Sequence, residues 1–372
     1  MINFITPYKD MSPQGAGVTE RLEFWRAIKR KYSDANWFHT NPQVGSKFLK
    51  IWKTPIQLHR FIQQVKKSEN KNFIFIYPSF PAIPYLSIFR MKIATRIFNF
   101  IKDEANKRGG HIGIRVTDLP RLAGNGTIKP LRVRFKPDKL KEFEKMLMDK
   151  ADIVWVTSQS QIDWLSKDVN LPKDKLSLSI NGTQENVKDA SPINLDDVAH
   201  FRFVYSGVLK KNKNIEWLIK EFLKIADNTS VILYLTGPFG NWINREYDHP
   251  KVKYLGNLPT PKDVAEVVKS CDVGLIVYAR DAFSDLMCPN KLSFYITCVT
   301  PILTTDIEET ARQVRELNIG TVAPLKDFAD AMRELINKKE VLSTWRKNMA
   351  SVREEFFWPR IYEKALNEFE RL

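Results

Sequence analysis

The sequence is poor in cysteine and histidine and contains no long apolar run. Its 372 residues include three cysteines and five histidines, and no histidine lies between or near Cys271, Cys288 and Cys298 to complete a zinc-ligand set. We therefore expect reduced thiols in or near a core. No stretch approaches the roughly 18 consecutive apolar residues of a transmembrane helix. The start, MINFITPYKD, has no basic region and reaches Asp10 too early for a signal peptide. A cytoplasmic location is expected.

Several motifs are also missing. The sequence has no zinc-finger spacing, no aromatic RNA-binding motif and no helix-turn-helix pattern, so nucleic acid is a disfavoured partner. No convincing Asp-x-Asp motif occurs in a loop suited to a metal-bridged diphosphate, and Asp306 to Glu308 is a weak substitute. We therefore expect neither a metal nor any other cofactor.

Positive charge is plentiful. The sequence has 58 Lys and Arg residues against 43 Asp and Glu residues, a formal net charge of +15. Such an excess favours an anionic partner, for which nucleotide sugars and lipid phosphates are candidates. A solvated basic surface with no single partner is an equally reasonable interpretation.

Apolar strand-like stretches alternate with amphipathic helix-like ones, which predicts parallel sheets. Predicted strands of the first half include Ile2 to Thr6, Phe73 to Tyr77 and His111 to Val116. A polar, turn-rich segment follows Ile180, and a second series of the same kind begins at Phe201. The chain is thus expected to contain two doubly wound α/β domains.

The most informative segment is CPNKLSFYITCVTPIL, residues 288–303. Pro289 suits the first position of a helix, and Lys291 lies within its first turn. The free N–H groups and the positive dipole end of a helix start attract anions, and the lysine adds a full charge. An apolar strand precedes this helix and another follows it, so the site lies where phosphates bind in doubly wound folds.

This segment resembles the Pro-x-Lys-Leu-x-x-Tyr signature of GT-B glycosyltransferases, in particular bacterial transferases related to β-1,6-galactofuranosyltransferases. Those sequences read roughly NPxKLSFYLAAGxPVI. The chain has Thr297, Cys298 and Val299 where that family usually places small residues ending in glycine. Many broader relatives also carry a sugar-contacting glutamate at the position of Phe294, which the KLSFY branch lacks.

The resemblance implies two Rossmann-like domains that face each other across a cleft. We expect an acceptor-side domain at 1–184, a linker at 185–199 and a nucleotide-sugar-binding domain at 200–356. The final segment, 357–372, is expected to kink near its Phe-Trp-Pro sequence and cross back onto the first domain.

Donor-binding residues follow from the same resemblance. SGVLKKNKN, residues 206–214, matches the family loop that grips the diphosphate, with Lys213 at the family lysine and Val208 in place of its arginine. Lys210 or Lys211 could supply the missing charge, although surface lysines are often merely solvated. The helix start adds Asn290, Lys291 and Leu292, the glycine-containing loop before the first helix adds Gly15, Ala16 and Gly17, and the base edge adds Gly256, Asn257 and Leu258. A plain glycine turn is as good an explanation for the loop at Gly15.

RVTDLPRLAG, residues 115–124, ends a strand and resembles the family's Ile-His-Asp-Leu segment. Asp118 is the candidate catalytic residue because it could orient or partly deprotonate an acceptor hydroxyl. Capping of the following loop is an equally good role for it. Thr117 replaces the family histidine that touches the donor sugar, and it joins Tyr77 as a candidate on the acceptor side.

The predicted function is sugar transfer from a nucleotide-activated donor to a glycan, lipid-linked or protein acceptor. The resemblance implies retention of anomeric configuration, with the leaving phosphate accepting the acceptor's proton. The alternatives are a catalytically inactive GT-B subunit or chaperone and, less well supported, an epimerase or phosphorylase. A basic amphipathic helix near 84–107 also suggests peripheral contact with an anionic membrane at its inner face, although an amphipathic core helix is the slightly better explanation. Oligomerisation is left open.

Overall fold

The computed structural model forms two compact units. The first comprises Met1–Ile180 and Tyr362–Leu372, and the second comprises Asn181–Ile361. The structure describes residues 2–6, 16–39, 59–77, 88–117, 119, 122, 137–195, 201–227 and 229–372.

A six-stranded parallel sheet organises the first unit, in the order β2-β1-β3-β4-β5-β6. Its elements are β1 (Ile2–Thr6), α1 (Ala16–Lys31), β2 (Asn36–His39), α2 (helical residues 59–67), β3 (Asn72–Tyr77), α3 (Ile88–Lys107), β4 (Ile112–Val116), α4 (Pro137–Lys150), β5 (Ile153–Val156), α5 (Gln159–Asp168) and β6 (Leu176–Leu178). The strands β4 and β5 are buried along their whole length, as expected for parallel strands covered on both faces.

A second parallel sheet of six strands organises the other unit, in the order β12-β11-β10-β7-β8-β9. Its elements are β7 (Phe201–Ser206), α6 (Ile215–Ala226), β8 (Val231–Thr236), α7 (Ile243–Glu246), β9 (Val252–Tyr254), α8 (Pro261–Lys269), β10 (Val273–Ile276), α9 (Asn290–Cys298), β11 (Ile302–Thr304), α10 (Glu308–Glu316), β12 (Gly320–Val322), α11 (Phe328–Asn337) and α12 (Glu340–Val352); α13 (Trp358–Glu370) follows and ends in the first unit. The predicted fold class, with two doubly wound Rossmann-like sheets, is confirmed.

The segment predicted as a linker is described as far as residue 195 and lies within the second unit. The Lys269 ammonium, at the end of α8, donates to the carbonyl oxygens of Val187, Lys188 and Ala190 at 3.0, 3.1 and 2.7 Å. Burial lowers the pKa of Lys269. One cation thus donates to three carbonyl oxygens of this polar stretch and ties it to the end of α8.

One face of α3 lies in the core of the first unit, whereas Arg96 and Asp103 are exposed. Ile97, Phe98 and Ile101 are all buried, and the Phe98 ring packs against Phe75 with centroids 5.4 Å apart. These apolar residues are therefore used in packing rather than presented to a lipid surface. Within the parts of the chain that the structure describes, we find no helix both long and apolar enough to span a bilayer.

The three cysteines are buried and free. Burial is the main cause that raises the pKa values of Cys288 and Cys298 to about 12. Both thiols are consequently neutral at ordinary pH and behave as small apolar side chains.

The end of α9 places a β-branched residue in the left-handed region. Val299 has φ 58° and ψ 38°. Its N–H donates to Ile296 O at 3.0 Å, and the Thr300 N–H donates to Tyr295 O at 3.0 Å. This pair of hydrogen bonds is a Schellman motif, whose left-handed position normally holds glycine. The valine at this position is therefore strained.

We predict that Val299→Gly stabilises the protein by about 1 kcal/mol, because glycine adopts this conformation without a Cβ clash. Thermal unfolding followed by circular dichroism should show a midpoint higher by about 2–4 °C. Asn318→Gly is the matched control. Asn318 ends α10 at φ 47° in the same kind of motif, but asparagine tolerates that region and its replacement should gain less. A gain no larger at Val299 than at Asn318 would contradict the strain argument.

Candidate functional site

Lys291 is the second residue of α9, at the carboxyl edge of the sheet in the second unit. The helix begins at Asn290, so Pro289 precedes it instead of occupying its first position, with an extended ψ of 141°. The Leu292 N–H donates to Pro289 O at 2.9 Å. The N–H groups of Asn290 and Lys291 belong to the first turn of α9, whose N–H groups have no acceptor within the helix. The predicted helix start is therefore present, displaced by one residue, and its role as an anion site stays a prediction.

Aromatic rings surround the Lys291 ammonium. Its Nζ donates to the Tyr278 hydroxyl at 3.1 Å and lies 4.7 Å from the ring centroid of Tyr205 and 5.2 Å from that of Tyr278. Burial alone would lower the pKa of Lys291, but the neighbouring Tyr205, Tyr278 and Tyr295 outweigh it and raise this pKa. The hydrogen bond to the Tyr278 hydroxyl and the two ring faces favour the charged form of the lysine.

Tyr295 fixes α9 to the strands beneath it. Its hydroxyl accepts from the Ser206 N–H at 3.1 Å and lies 3.3 Å from Leu275 O, to which it can donate. A Cβ on Gly274 would lie 2.7 Å from the Tyr295 ring, so glycine makes room for it. The tyrosine of the KLSFY sequence thus joins the helix to the ends of β7 and β10.

Gly207 brings the loop after β7 against Lys291. It has φ +141°, and a Cβ there would lie 2.9 Å from Lys291 Cε and 3.1 Å from Nζ. We refer to Lys291, Tyr205, Tyr278, Tyr295 and Gly207 as the Lys291 cluster. The structure therefore brings together two segments that the sequence had singled out separately, the KLSFY helix and the SGVLKKNKN loop.

The lysines of that loop have different surroundings. Lys210 is exposed, with its Nζ 4.5 Å from the Phe239 ring centroid. Lys211 forms an ion pair with Glu246, so its charge is already compensated. Lys213 is half-buried at the end of a single helical turn, and its N–H donates to Lys210 O at 2.9 Å. Among the residues described around it, no side-chain partner of Lys213 is found.

The predicted base edge lies on the neighbouring strands of the same sheet. Gly256 has φ +83°, and its carbonyl accepts from the Gly237 N–H at 2.9 Å and from Thr236 Oγ1 at 3.0 Å. Asn257 is exposed and Leu258 is half-buried. Gly256 thus follows β9 beside the end of β8, on the sheet edge that carries the Lys291 cluster. The Leu292 side chain, by contrast, is fully buried and belongs to the core.

The candidates of the first unit are only partly described. Asp118 and Gly15 lie outside the described residues, and Ala16 and Gly17 open α1. The other two candidates, Tyr77 and Thr117, lie together at the ends of β3 and β4. Thr117 Oγ1 donates to Tyr77 O at 3.2 Å. The Tyr77 hydroxyl donates to the buried Glu144 carboxylate at 2.9 Å, so this side chain is directed into the core.

Sequence reasoning missed several contributors. Tyr205 and Tyr278 end strands and carry no motif, yet they line Lys291. Asn181 was assigned no role, but its Nδ2 donates to Cys288 O at 2.6 Å and its carbonyl accepts from Ser293 Oγ, which fixes the first turn of α9. The usable signal for the tyrosines was their place at the carboxyl ends of buried strands.

Residues 200–338 match the family described as Glycosyl transferases group 1. The second unit therefore contains a glycosyl transferase group 1 domain. No curated protein sequence matches the chain.

Solved structures resemble the whole chain. Sucrose-phosphate synthase from Thermosynechococcus elongatus aligns with a TM-score of 0.72 at 15% identity, covering 100% of this chain and 98% of that one. WaaG, a glycosyltransferase involved in lipopolysaccharide biosynthesis, aligns with a TM-score of 0.66 at 11% identity and 99% coverage of both chains. Anabaena HepE in complex with UDP gives 0.65 at 13% identity and 100% coverage of both. These likenesses establish a GT-B fold. The group 1 domain confirms the prediction of a glycosyltransferase, without showing its donor, its acceptor or its stereochemistry.

We predict that Gly207→Ala weakens binding of nucleoside diphosphates at least about tenfold. A methyl group there displaces the Lys291 ammonium, and a charged hydrogen bond contributes about 1.5–3 kcal/mol. Titration calorimetry measures the change. Gly109→Ala is the control, because Gly109 also has a positive φ of +62° but nothing within 4 Å of its Cβ position. That variant should lose stability and keep its affinity, so equal affinities in the two variants would refute the steric role of Gly207.

Proposed function

We propose that the protein transfers a sugar, a hexose in the first instance, from a nucleotide-activated donor to a glycan, lipid-linked or protein acceptor. The observation that carries this proposal is the Lys291 cluster, a charged lysine at a helix start against a glycine loop, within a glycosyl transferase group 1 domain. A fixed positive charge and free N–H groups suit the diphosphate of such a donor.

The donor diphosphate is assigned to Lys291, the α9 start with Asn290 and Leu292, and the loop carrying Lys210 and Lys213. In this assignment Leu292 contributes only its backbone, since its side chain is buried. The base is assigned to the edge at Gly256, Asn257 and Leu258. From the first unit, the loop at Gly15, Ala16 and Gly17 is assigned to the diphosphate and Asp118 to catalysis. The acceptor side is assigned to Thr117 and to the strand end at Tyr77, whose side chain itself lies in the core.

Chemically, the leaving diphosphate gains negative charge as the bond to the sugar breaks. Lys291 and the dipole of α9 stabilise that charge, and the sugar passes through an oxocarbenium-like state. We infer retention at the anomeric carbon, with the departing phosphate accepting the acceptor's proton and no metal required. A relationship to β-1,6-galactofuranosyltransferases remains part of the proposal, based on the KLSFY sequence.

Location and further partners remain proposals as well. A cytoplasmic protein that contacts an anionic membrane is consistent with the net charge of +15. Liposome sedimentation with and without anionic lipid tests this contact, and equal partitioning would count against it.

The alternative is an inactive GT-B subunit that binds nucleotide and assists another transferase. Val208 favours it, because this exposed apolar residue stands at the position of the family's phosphate-binding arginine. Transfer and hydrolysis assays over many donors discriminate the two. Tight nucleotide binding without turnover of any donor would favour the alternative.

A thermal-shift screen over uridine, guanosine, thymidine and adenosine diphosphates and their sugars tests the donor assignment. Uridine compounds are the first to test, because a structural neighbour, Anabaena HepE, was solved with UDP-glucose. We expect one base to raise the unfolding midpoint most, through preferential binding to the folded state. A screen without any shift would contradict the proposed function.

We further predict that Lys291→Ala and Lys213→Ala each weaken binding of the preferred nucleoside diphosphate about 10- to 150-fold. Each removes a charge-assisted hydrogen bond of about 1.5–3 kcal/mol. Lys220→Ala is the control, because Lys220 is exposed on α6 and pairs with Glu216. Calorimetry that gives both variants the affinity of this control, with circular dichroism confirming folding, would remove the assignment.

A further inference from the structure

Phe239 combines two unfavourable features on one side chain. Its φ is +69°, in the left-handed region that bulky residues avoid, and the residue is 61% exposed. Burial of the ring therefore does not compensate for the backbone strain. Residues that retain such strain cluster at ligand clamps and active sites, where a neighbouring ligand uses the imposed geometry.

The backbone around Phe239 is held in place. The Gly237 carbonyl accepts from the Tyr254 hydroxyl at 3.0 Å, and the Pro238 carbonyl accepts from the Leu209 N–H at 3.0 Å. On the other side, Trp242 Nε1 donates to Leu209 O at 2.7 Å. These hydrogen bonds connect the turn after β8 to the loop after β7. The phenyl ring is thus displayed by a fixed turn.

This turn lies beside the Lys291 cluster. A Cβ on Gly237 would lie 2.0 Å from Gly207 O, so the two glycines touch, and Gly207 itself contacts Lys291. Phe239 follows Gly237 by two residues, a span of at most about 7 Å. A ligand whose diphosphate lies at Lys291 therefore has its nucleoside portion within reach of the phenyl ring.

One face of the ring already carries a cation. Lys210 Nζ lies 4.5 Å from the Phe239 ring centroid, and Lys210 belongs to the loop assigned to the diphosphate. Because the residue is also 61% exposed, the ring has room for a ligand. A flat aromatic surface held rigidly beside a diphosphate site matches the planar ring of a nucleobase, which stacks on aromatic side chains without regard to its hydrogen-bonding edge.

We propose that Phe239 is the stacking platform for the base of the nucleotide donor, a binding residue additional to the edge at Gly256. This inference rests on the proposed function, because it requires a nucleotide ligand at Lys291. It assigns the sequence GPFGNW a role in preferring nucleoside diphosphates over diphosphates that lack a base.

The test compares Phe239→Ala, Phe239→Leu and Phe239→Tyr with wild type by titration calorimetry. The probes are the uridine, guanosine, thymidine and adenosine diphosphates, and inorganic pyrophosphate as the ligand without a base. We expect the Ala and Leu variants to bind the preferred nucleoside diphosphate about tenfold more weakly or worse, with Tyr within about threefold of wild type. Pyrophosphate affinity should be unchanged in all three. Ile193→Ala, at another exposed apolar residue of the same unit, should leave every affinity unchanged.

The outcomes separate this inference from the proposed function. If wild type binds a nucleoside diphosphate and Phe239→Ala or Phe239→Leu binds it equally well, stacking is overturned while the proposed function stands. Equal weakening of pyrophosphate also overturns stacking, since the residue would then act on the diphosphate through Lys210. If wild type binds no nucleoside diphosphate, the proposed function fails and this inference fails with it.

Discussion

The contact between Lys291 and Gly207 is the constraint on which the candidate site depends. The lysine comes from the start of α9 and the glycine from the end of β7, and only a residue without Cβ leaves room for the ammonium. Tyr278 and Tyr205 hold that ammonium from the other sides. Because the charge is fixed before any ligand arrives, an anion bound there meets a pre-organised partner and needs little rearrangement.

Much of the fold was predictable from the sequence, for a physical reason. Parallel strands buried on both faces read as short apolar runs, as in VILYLT and NFIFIY, and both were found within one residue of their observed bounds. Short edge elements such as β2 and β12 were missed, because three or four residues carry too little periodicity. The position of Pro289 was wrong by one residue, since proline suits both the residue before a helix and its first position.

The charged and glycine residues of the candidate site were predictable from the sequence. The aromatic residues that pack around them were not. Lys291 and the loop ending at Lys213 were predicted as binding residues because lysines near a helix start or a glycine turn have a chemical meaning in sequence. Tyr205, Tyr278 and Phe239 carry no charge or glycine signal, and aromatic residues usually belong to a core. The place of the two tyrosines at the carboxyl ends of buried strands was the only indication available for them. Only the φ of Phe239 and its exposure distinguish it from its buried neighbours.

The departures from the family pattern have unequal consequences. Val299 replaces glycine at the end of α9 and keeps the same Schellman hydrogen bonds, so the cost is strain in the backbone alone. Val208 is different, because it leaves an exposed apolar side chain at the position that the family resemblance assigns to a phosphate-binding arginine. The remaining cations of its loop are Lys210, Lys211 and Lys213, and Lys211 is committed to Glu246. Lysine binds phosphate as a point charge and cannot form the bidentate contact of arginine.

The chain crosses from one unit to the other twice, after Ile180 and after Ile361. Residues next to these crossings have well-defined contacts within their own unit. In the first unit the buried Arg115 guanidinium pairs with Glu20 at 2.6 Å, donates to Ser179 O at 2.6 Å, and lies 5.4 Å from the Tyr362 ring centroid. Ser179 stands just before the first passage and Tyr362 just after the second. A buried cation leaves a large penalty when any partner is lost, so this arrangement holds both ends firmly.

In the second unit, the residue that follows the first passage is Asn181, which holds Cys288 and Ser293 around the start of α9. Two consecutive residues therefore have quite different partners. Ile180 contacts Arg115 in the first unit, and Asn181 contacts the first turn of α9 in the second unit. Ile180, the last residue of the first unit before that passage, has a carbonyl that accepts from Arg115 at 3.3 Å. The same short stretch of chain thus fixes the candidate site and forms the first connection between the units.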